Sequence, residues 1–231
     1  MMNLQAFLKS PTFLKNGAVF IADSHYSKNN TDLKTLLLKI KNNEIKTTQI
    51  FLVGDIFHLL LPFKYLIDYN QEIITLINEL SHTKEIYYFE GNHDFCLDGI
   101  FDKNVKILKT LQKDGICINH GDIYIKDKFY LFYTNLIRHN FMMNIVNIIT
   151  FNFVNNWMFR KILSKNIKCD SMSNFKDLAN YKISKYKNCD LIIEGHYHQN
   201  QTYKNYINLP SLYCQKSFLQ LKNQEFIEIF L

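Results

Sequence analysis

Five apolar runs in this chain each stop at a small cluster of Asp, Asn, His and Gly. Ala18-Val19-Phe20-Ile21-Ala22 ends at Asp23-Ser24-His25, and Gln49-Ile50-Phe51-Leu52-Val53 ends at Gly54-Asp55. Glu85 to Phe89 leads to Gly91-Asn92-His93-Asp94, Ile116-Cys117-Ile118-Asn119 to His120-Gly121-Asp122, and Leu191-Ile192-Ile193 to Gly195-His196-Tyr197-His198. Short continuous apolar runs bounded by turn residues read as buried strands. Leu33 to Ile40 and Phe63 to Leu80 carry helical spacing between the first of them. Strands alternating with helices predict an α/β sandwich, with the polar clusters on loops at the carboxyl ends of strands, where open α/β sheets bind ligands. The tail after His198 reads as short strands, roughly 203–209, 212–221 and 225–230.

The clusters together offer Asp23, His25, Asp55, Asn92, His120, His196 and His198, enough oxygen and nitrogen donors for two divalent cations. Four of the seven glycines of the chain lie inside them, as expected where backbone must turn tightly or approach a ligand closely. Asp55 follows a glycine and its carboxylate can bridge two ions. Mixed His, Asp and Asn ligation suits Mn²⁺ first, with Fe²⁺ or Zn²⁺ as alternatives, over Ca²⁺ or Mg²⁺. Two such ions polarise a phosphoryl oxygen and activate water near neutral pH.

Composition narrows the setting. At 231 residues with 47% hydrophobic content and three prolines, the chain suits one domain, residues 1–231, with a sizeable insertion, and not extended disorder. No apolar run is long enough for a signal peptide or a membrane span, so a cytoplasmic location is expected. The five scattered cysteines, none in a CxxC pair, are then expected to be reduced and structural.

Residues 123–187 break the alternating rhythm. They hold eleven Lys and Arg against three Asp and no Glu, a local charge of +8 in a chain of +6. Both arginines, Arg138 and Arg160, fall here. Met142, Ile145, Ile149, Phe153 and Trp157 recur at helical spacing between Phe141 and Phe159. Cations beside large apolar side chains suit an anionic membrane surface and an amphiphilic ligand. A solvated basic helix pair and a nucleic-acid contact are the competing readings. The second is disfavoured because aliphatic residues interleave the basic ones.

The ordered set D-x-H, G-D, G-N-H-D, H-G-D and G-H-x-H resembles the calcineurin-like metallophosphoesterases over about residues 16–122 and 189–231. The resemblance implies a four-layer αββα sandwich and a dinuclear centre. Asp23, His25, Asp55 and His198 would hold one ion; Asp55 (bridging), Asn92, His120 and His196 would hold the other. His93 would protonate the leaving group or steady the phosphate, and Asp94 would orient His93. A narrower resemblance, carried by Gly54-Asp55-Ile56-Phe57, Gly91-Asn92-His93-Asp94-Phe95 and the basic aromatic insertion, is to UDP-2,3-diacylglucosamine hydrolases. There the insertion is a helical cap for acyl chains, which would place Trp157 against lipid and Arg138 and Arg160 against phosphate or headgroups. The chain departs from the better-known branch at His93 (Arg there), Tyr197 (Thr) and Gln199-Asn200 (Arg-Pro). The expected substrate is a lipid-linked nucleotide sugar at the cytoplasmic face of the inner membrane, with neither nucleic acid nor an obligate protein partner. The alternative is a soluble nucleotide, phosphodiester or nucleic acid.

Overall fold

The computed structural model describes residues 2–3, 13–125 and 153–231. Among them, two sheets are stacked between helices. The strands are β1 (Met2–Asn3), β2 (Val19–Ile21), β3 (Gln49–Val53), β4 (Glu85–Phe89), β5 (Val105–Leu108), β6 (Thr110–Lys113), β7 (Ile116–Asn119), β8 (Leu191–Glu194), β9 (Gln201–Tyr203), β10 (Tyr206–Asn208), β11 (Ser217–Lys222) and β12 (Glu225–Phe230). The larger sheet has the order β1-β12-β11-β2-β3-β4-β5, the smaller β6-β7-β8-β10-β9. β2 to β5 run parallel, as do β7, β8 and β10.

Burial follows from side-chain alternation along strands that are covered on both faces. One face of the larger sheet (Val19, Ile21, Ile50, Leu52, Ile86, Tyr88) packs on helices α1 (Asp32–Lys41) and α2 (Lys64–Ser81). α1 buries Leu33, Leu36, Leu37 and Ile40, and α2 buries Leu66, Ile73, Ile74, Ile77 and Leu80. Spacings of three and four residues put each set on one helical stripe. The opposite face, Phe20, Phe51, Val53 and Phe89, meets Ile116, Ile118, Leu191, Ile193 and Ile207 of the smaller sheet. The outer face of that sheet, Cys117, Ile192 and Tyr206, is covered by Phe175 and Ala179 of helix α4 (Phe175–Lys185). The result is the αββα order expected.

Helix α3 (Phe153–Leu163) and α4 are the described helices of the insertion. α3 packs through Phe159 on Leu59, Leu61, Leu66 and Phe95, beside the Asp55 loop. Two local expectations need correction. Leu212–Gln215 is a short helix, α5, N-capped by the Ser211 hydroxyl, where a strand was expected from 212. The cysteines are not all free: Cys117 pairs with Cys189 and Cys169 with Cys214, leaving Cys96 free. Partners separated by 72 and 45 residues give no spacing signal, but the fold brings their Cα atoms to 5.8 and 5.5 Å, a bridging distance.

Candidate metal centre

Register brings the five clusters to one edge. Ile21 pairs with Leu52, and Val53 with Phe89, so Asp23, Gly54-Asp55 and Gly91-Asn92 leave neighbouring strands at one level. Asn119 pairs with Glu194, setting His120 beside Gly195 in the second sheet. Backbone bonds carry the alignment into the loops: the Asp23, His25 and Tyr26 amides donate to the carbonyls of Gly54, Asp55 and Ile56, and Gly195 N–H donates to the His120 carbonyl.

Five of the seven expected ligand residues have left-handed backbone: Asp23 (φ 49°), His25 (42°), Asp55 (50°), His196 (69°) and His198 (55°). Such conformations are unfavourable for residues with side chains and persist where surrounding structure imposes them, typically at functional sites. The glycines explain how the loops close. A β-carbon on Gly54 would overlap the His120 ring, and one on Gly91 the Asp55 carboxylate.

The donor atoms converge. Asp23, His25 and His198 form one group, Asp55, His120 and His196 another, and His25, Asp55 and His93 a third, the ligand atoms of each lying within 4.8 Å of one another. Asn92 joins the second group, its Oδ1 lying 3.2 Å from His120 Nε2. Asp55 faces both sides, with Oδ1 3.4 Å from His120 Nε2 and Oδ2 4.0 Å from His25 Nε2. His198 Nε2 lies 3.2 Å from Asp23 Oδ1. Backbone carbonyls orient the rings: His120 Nδ1–H donates to Val53 (3.1 Å) and His198 Nδ1–H to Lys168 (3.0 Å), leaving each Nε2 turned to the centre. That is how proteins select a ligating tautomer.

The donor set fits divalent cations. Both ring nitrogens of His25 are buried without a hydrogen-bond partner, a costly state for an imidazole unless something else takes the lone pair. Burial would raise the Asp55 carboxyl, but nearby imidazoles, His120 foremost, hold it well below the carboxylate range. Asp23 is lowered against the same burial by His198. Burial takes His25 down to about 3 and His196 to about 4, keeping their lone pairs free. His120 goes the other way: against its burial, the Asp55 carboxylate holds it well above the usual histidine value.

Asp94 is placed differently from expectation. Its Oδ1 accepts from the amides of Asp55 and Gly91, both at 2.9 Å. Its Oδ2 accepts from Ile56 (2.6 Å), Phe57 (3.2 Å) and the Tyr88 hydroxyl (2.6 Å). It therefore shapes the Asp55 loop and does not orient His93. His93 is held instead by its Nδ1–H, which donates to the His58 carbonyl at 2.7 Å, and by its amide, which donates to Asp55 Oδ1 at 2.8 Å. His58 Nε2–H in turn donates to the Ile162 carbonyl of α3 (3.0 Å), linking the insertion to the His93 loop.

A cavity of about 610 Å³ opens over the donors, lined by His25, Asp55, Asn92, His93, His196 and His198 on one side. Ile162, Lys165, Lys168 and Met172 of the insertion form its other wall. Gln199 fastens that wall: its side chain accepts from the Met172 amide (2.6 Å) and donates to the Asp170 carbonyl (3.0 Å). Trp157 and Arg160 are not part of the lining. Trp157 is 60% exposed, with the Lys161 ammonium 5.2 Å over its ring, and Arg160 is exposed. Arg138, with Phe141 to Ile149, lies outside the described residues. The wall lysines went unselected in the sequence because nothing in their spacing sets them apart from the other polar residues of a basic segment, and Gln199 stood out there only as a departure from Arg, with no role.

An α/β sandwich whose parallel strand ends gather Asp, Asn and His into adjoining donor groups defines a metallohydrolase. The chain belongs to the calcineurin-like phosphoesterase family, whose model matches residues 18–200. Two UDP-2,3-diacylglucosamine hydrolases are similar to it, each 25% identical. The match to the Wigglesworthia glossinidia brevipalpis protein covers 54% of each chain, about half the length of that relative. The match to the Blochmanniella pennsylvanica protein covers 81% of each. Among solved structures, a protein of unknown function from Aquifex aeolicus aligns over 91% of this chain and 94% of its own, with 18% identity and a TM-score of 0.39. The cold-active protein-tyrosine phosphatase of a Shewanella species aligns over 96% and 80%, with 14% identity and a TM-score of 0.44. Both scores are too low to inform the site.

Proposed function

We propose that this chain is a single metallophosphoesterase domain that hydrolyses the pyrophosphate of UDP-2,3-diacylglucosamine, giving the acylated sugar 1-phosphate and UMP, with residues 123–187 as its substrate-facing cap. The observation that carries this reading is the shared cavity, with metal-ligand candidates on one wall and two lysines beside Ile162 and Met172 on the other. Two lysines beside apolar Ile162, Ile167 and Met172, with Asp170 and Asn166 the other polar groups of that wall, suit an amphiphile with phosphates at one end. The names of the two relatives point to the same substrate.

Asp23, His25, Asp55 and His198 would hold one cation, and Asp55, Asn92, His120 and His196 the other, with Mn²⁺ the preferred ion and Fe²⁺ or Zn²⁺ as alternatives. When bound, the two ions supply charge to a phosphoryl oxygen and activate the attacking water. Lys165 and Lys168 attract and orient the pyrophosphate, and the apolar wall excludes water from its far side. His93, with Nδ1–H fixed on the His58 carbonyl, presents Nε2 to the cavity. A proton on Nε2 can pass to the leaving phosphate oxygen as the bridging bond breaks.

Action at the cytoplasmic face of a membrane belongs to the same proposal, resting on the basic, aromatic insertion. No described helix is long and apolar enough to cross a membrane. Cytoplasmic thiol reductants keep cysteine pairs of this kind open, so free-thiol counts on protein taken directly from cells test the compartment. The position of Trp157 and Arg160 outside the cavity favours a second reading, a soluble phosphodiester or nucleotide substrate. Incubation with UDP-2,3-diacylglucosamine and Mn²⁺ in detergent decides between them. UMP with the lipid sugar phosphate is expected; UDP would overturn cleavage within the pyrophosphate, and no reaction while small phosphodiesters are cleaved would overturn the lipid substrate.

A further inference from the structure

Behind the His120 and His196 loops lies a charge pair that takes no part in the donor set. Lys182, on α4, and Glu194, at the end of β8, have side chains with no exposed surface, and their charged atoms are 3.1 Å apart. Lys182 Nζ also donates to the Gly121 carbonyl, immediately after His120, and sits 5.1 Å over the Tyr197 ring, immediately after His196. Glu194 immediately precedes Gly195-His196. Its Oε2 accepts from the Tyr206 hydroxyl at 2.8 Å and its Oε1 from the Tyr186 hydroxyl. Asn119 closes the set, donating to the Tyr186 oxygen and accepting from the Gly121 amide at 2.8 Å. One buried network thus grips the residues on both sides of two candidate ligands.

Burying a lysine and a glutamate is unfavourable, and a well-packed apolar pair would often serve stability as well or better. A fully satisfied polar network instead fixes its members in one arrangement. Here the members that are fixed are the flanks of His120 and His196, whose ring centroids lie 5.0 Å apart.

We propose that Lys182 and Glu194 form a buried brace that positions His120 and His196 relative to each other and so sets the affinity of the centre for its second cation from the insertion helix α4. The inference rests on the two-ion reading of the site. Lys182 and Glu194 are positioning residues: they act through the Gly121 carbonyl and the 194–196 backbone and touch neither ion nor substrate.

The test is a Mn²⁺ titration of the whole chain, followed by the electron paramagnetic resonance signal of coupled Mn²⁺ pairs. Wild type should take up two equivalents; failure there would overturn the two-ion reading and the inference that rests on it, whereas the variants that follow test the brace alone. The variant Lys182→Met/Glu194→Gln removes both charges together, leaving no buried ion unpaired. It should fold, bind the first equivalent as wild type does, and bind the second at least five-fold more weakly, with a reduced pair signal. A second equivalent bound less than five-fold more weakly would overturn the brace. If that variant does not fold, the same threshold applies to Lys182→Gln, whose shorter side chain cannot reach Gly121 and Glu194 together. Ile77→Val, in α2 on the far side of the larger sheet, controls for general loosening. It should lower the thermal midpoint and leave both equivalents in place; an equal weakening there would reduce Lys182 to a purely structural role.

Discussion

The two walls of the cavity are built on different principles. The donor wall is a set of strand ends, with each residue placed by a register, a glycine or a backbone bond, down to the left-handed conformations of Asp23, His25, Asp55, His196 and His198. The opposite wall runs from Ile162, in the last turn of α3, to Met172 through residues outside any helix or strand, and is held by a few hydrogen bonds: His58 to Ile162, His198 to Lys168, and Gln199 to Met172 and Asp170. On the proposed function, chemistry that demands fixed distances would sit on the donor wall, and substrate choice would fall to the side chains of the opposite wall. Site-bearing loops on a rigid scaffold follow the same division elsewhere.

The largest expected effect lies on the donor wall. Asp55→Ala removes a carboxylate that lies within 4.0 Å of His25 Nε2 on one side and 3.4 Å of His120 Nε2 on the other. Metal content should fall below one ion per chain, and kcat/KM by at least about 10³, roughly 4 kcal/mol of barrier. Activity within about ten-fold of wild type, with two ions retained by elemental analysis, would break the bridging assignment.

His93 sharpens the comparison because it belongs to the donor wall by position and to the substrate by role. His93→Ala should keep both ions and lose about 10²–10⁴ in rate, the span of a proton-donating group. If elemental analysis shows an ion lost, His93 is a ligand, as its grouping with His25 and Asp55 within 4.8 Å allows.

The pH dependence of stability offers a smaller effect. Burial holds His25 at about 3 in the folded chain, against 6.5 when exposed. Between those values the unfolded chain binds a proton that the folded chain does not, so this group makes stability fall as pH drops from 6.5 toward 3. In chelator-treated protein, His25→Gln should flatten the slope of unfolding free energy between pH 4 and 6 by up to about 1.4 kcal/mol per pH unit. Urea titrations with identical slopes in both proteins would contradict the buried neutral imidazole.

Legibility from sequence followed the same divide. The strands ending at Asp23, Asp55, Asn92, His120 and His196 were readable because a strand buried on both faces must be continuously apolar, and helices expected at 33–40 and 63–80 occur at Asp32–Lys41 and Lys64–Ser81. Strands β5 and β6, Val-Lys-Ile-Leu and Thr-Leu-Gln-Lys, escaped because they are short and partly exposed. Asp94 was readable as a site residue but not in its role, since accepting from four amides and the Tyr88 hydroxyl depends on how two loops cross. The cysteine pairs and the Lys182–Glu194 contact join residues far apart in sequence, which no local pattern records.

The smallest effect expected is at Trp157. Its ring stands outside the cavity, so Trp157→Ser should change turnover of the diacylated substrate and of a small chromogenic phosphodiester by less than about two-fold. A selective loss with the lipid substrate in a detergent assay would bring α3 into the acyl-chain path and extend the substrate wall beyond Ile162.

The division between the walls is tested most directly by one ratio: kcat/KM for UDP-2,3-diacylglucosamine over kcat/KM for bis-p-nitrophenyl phosphate, measured in wild type and in Lys165→Ala/Lys168→Ala. Loss of two cavity-lining cations should lower turnover of the nucleotide sugar by about ten-fold or more, on the order of 1.4 kcal/mol, with two ions still bound and the small diester cleaved as before. The ratio should therefore drop about ten-fold. An unchanged ratio, whether both activities fall together or neither moves, would contradict the assignment of substrate choice to the insertion wall.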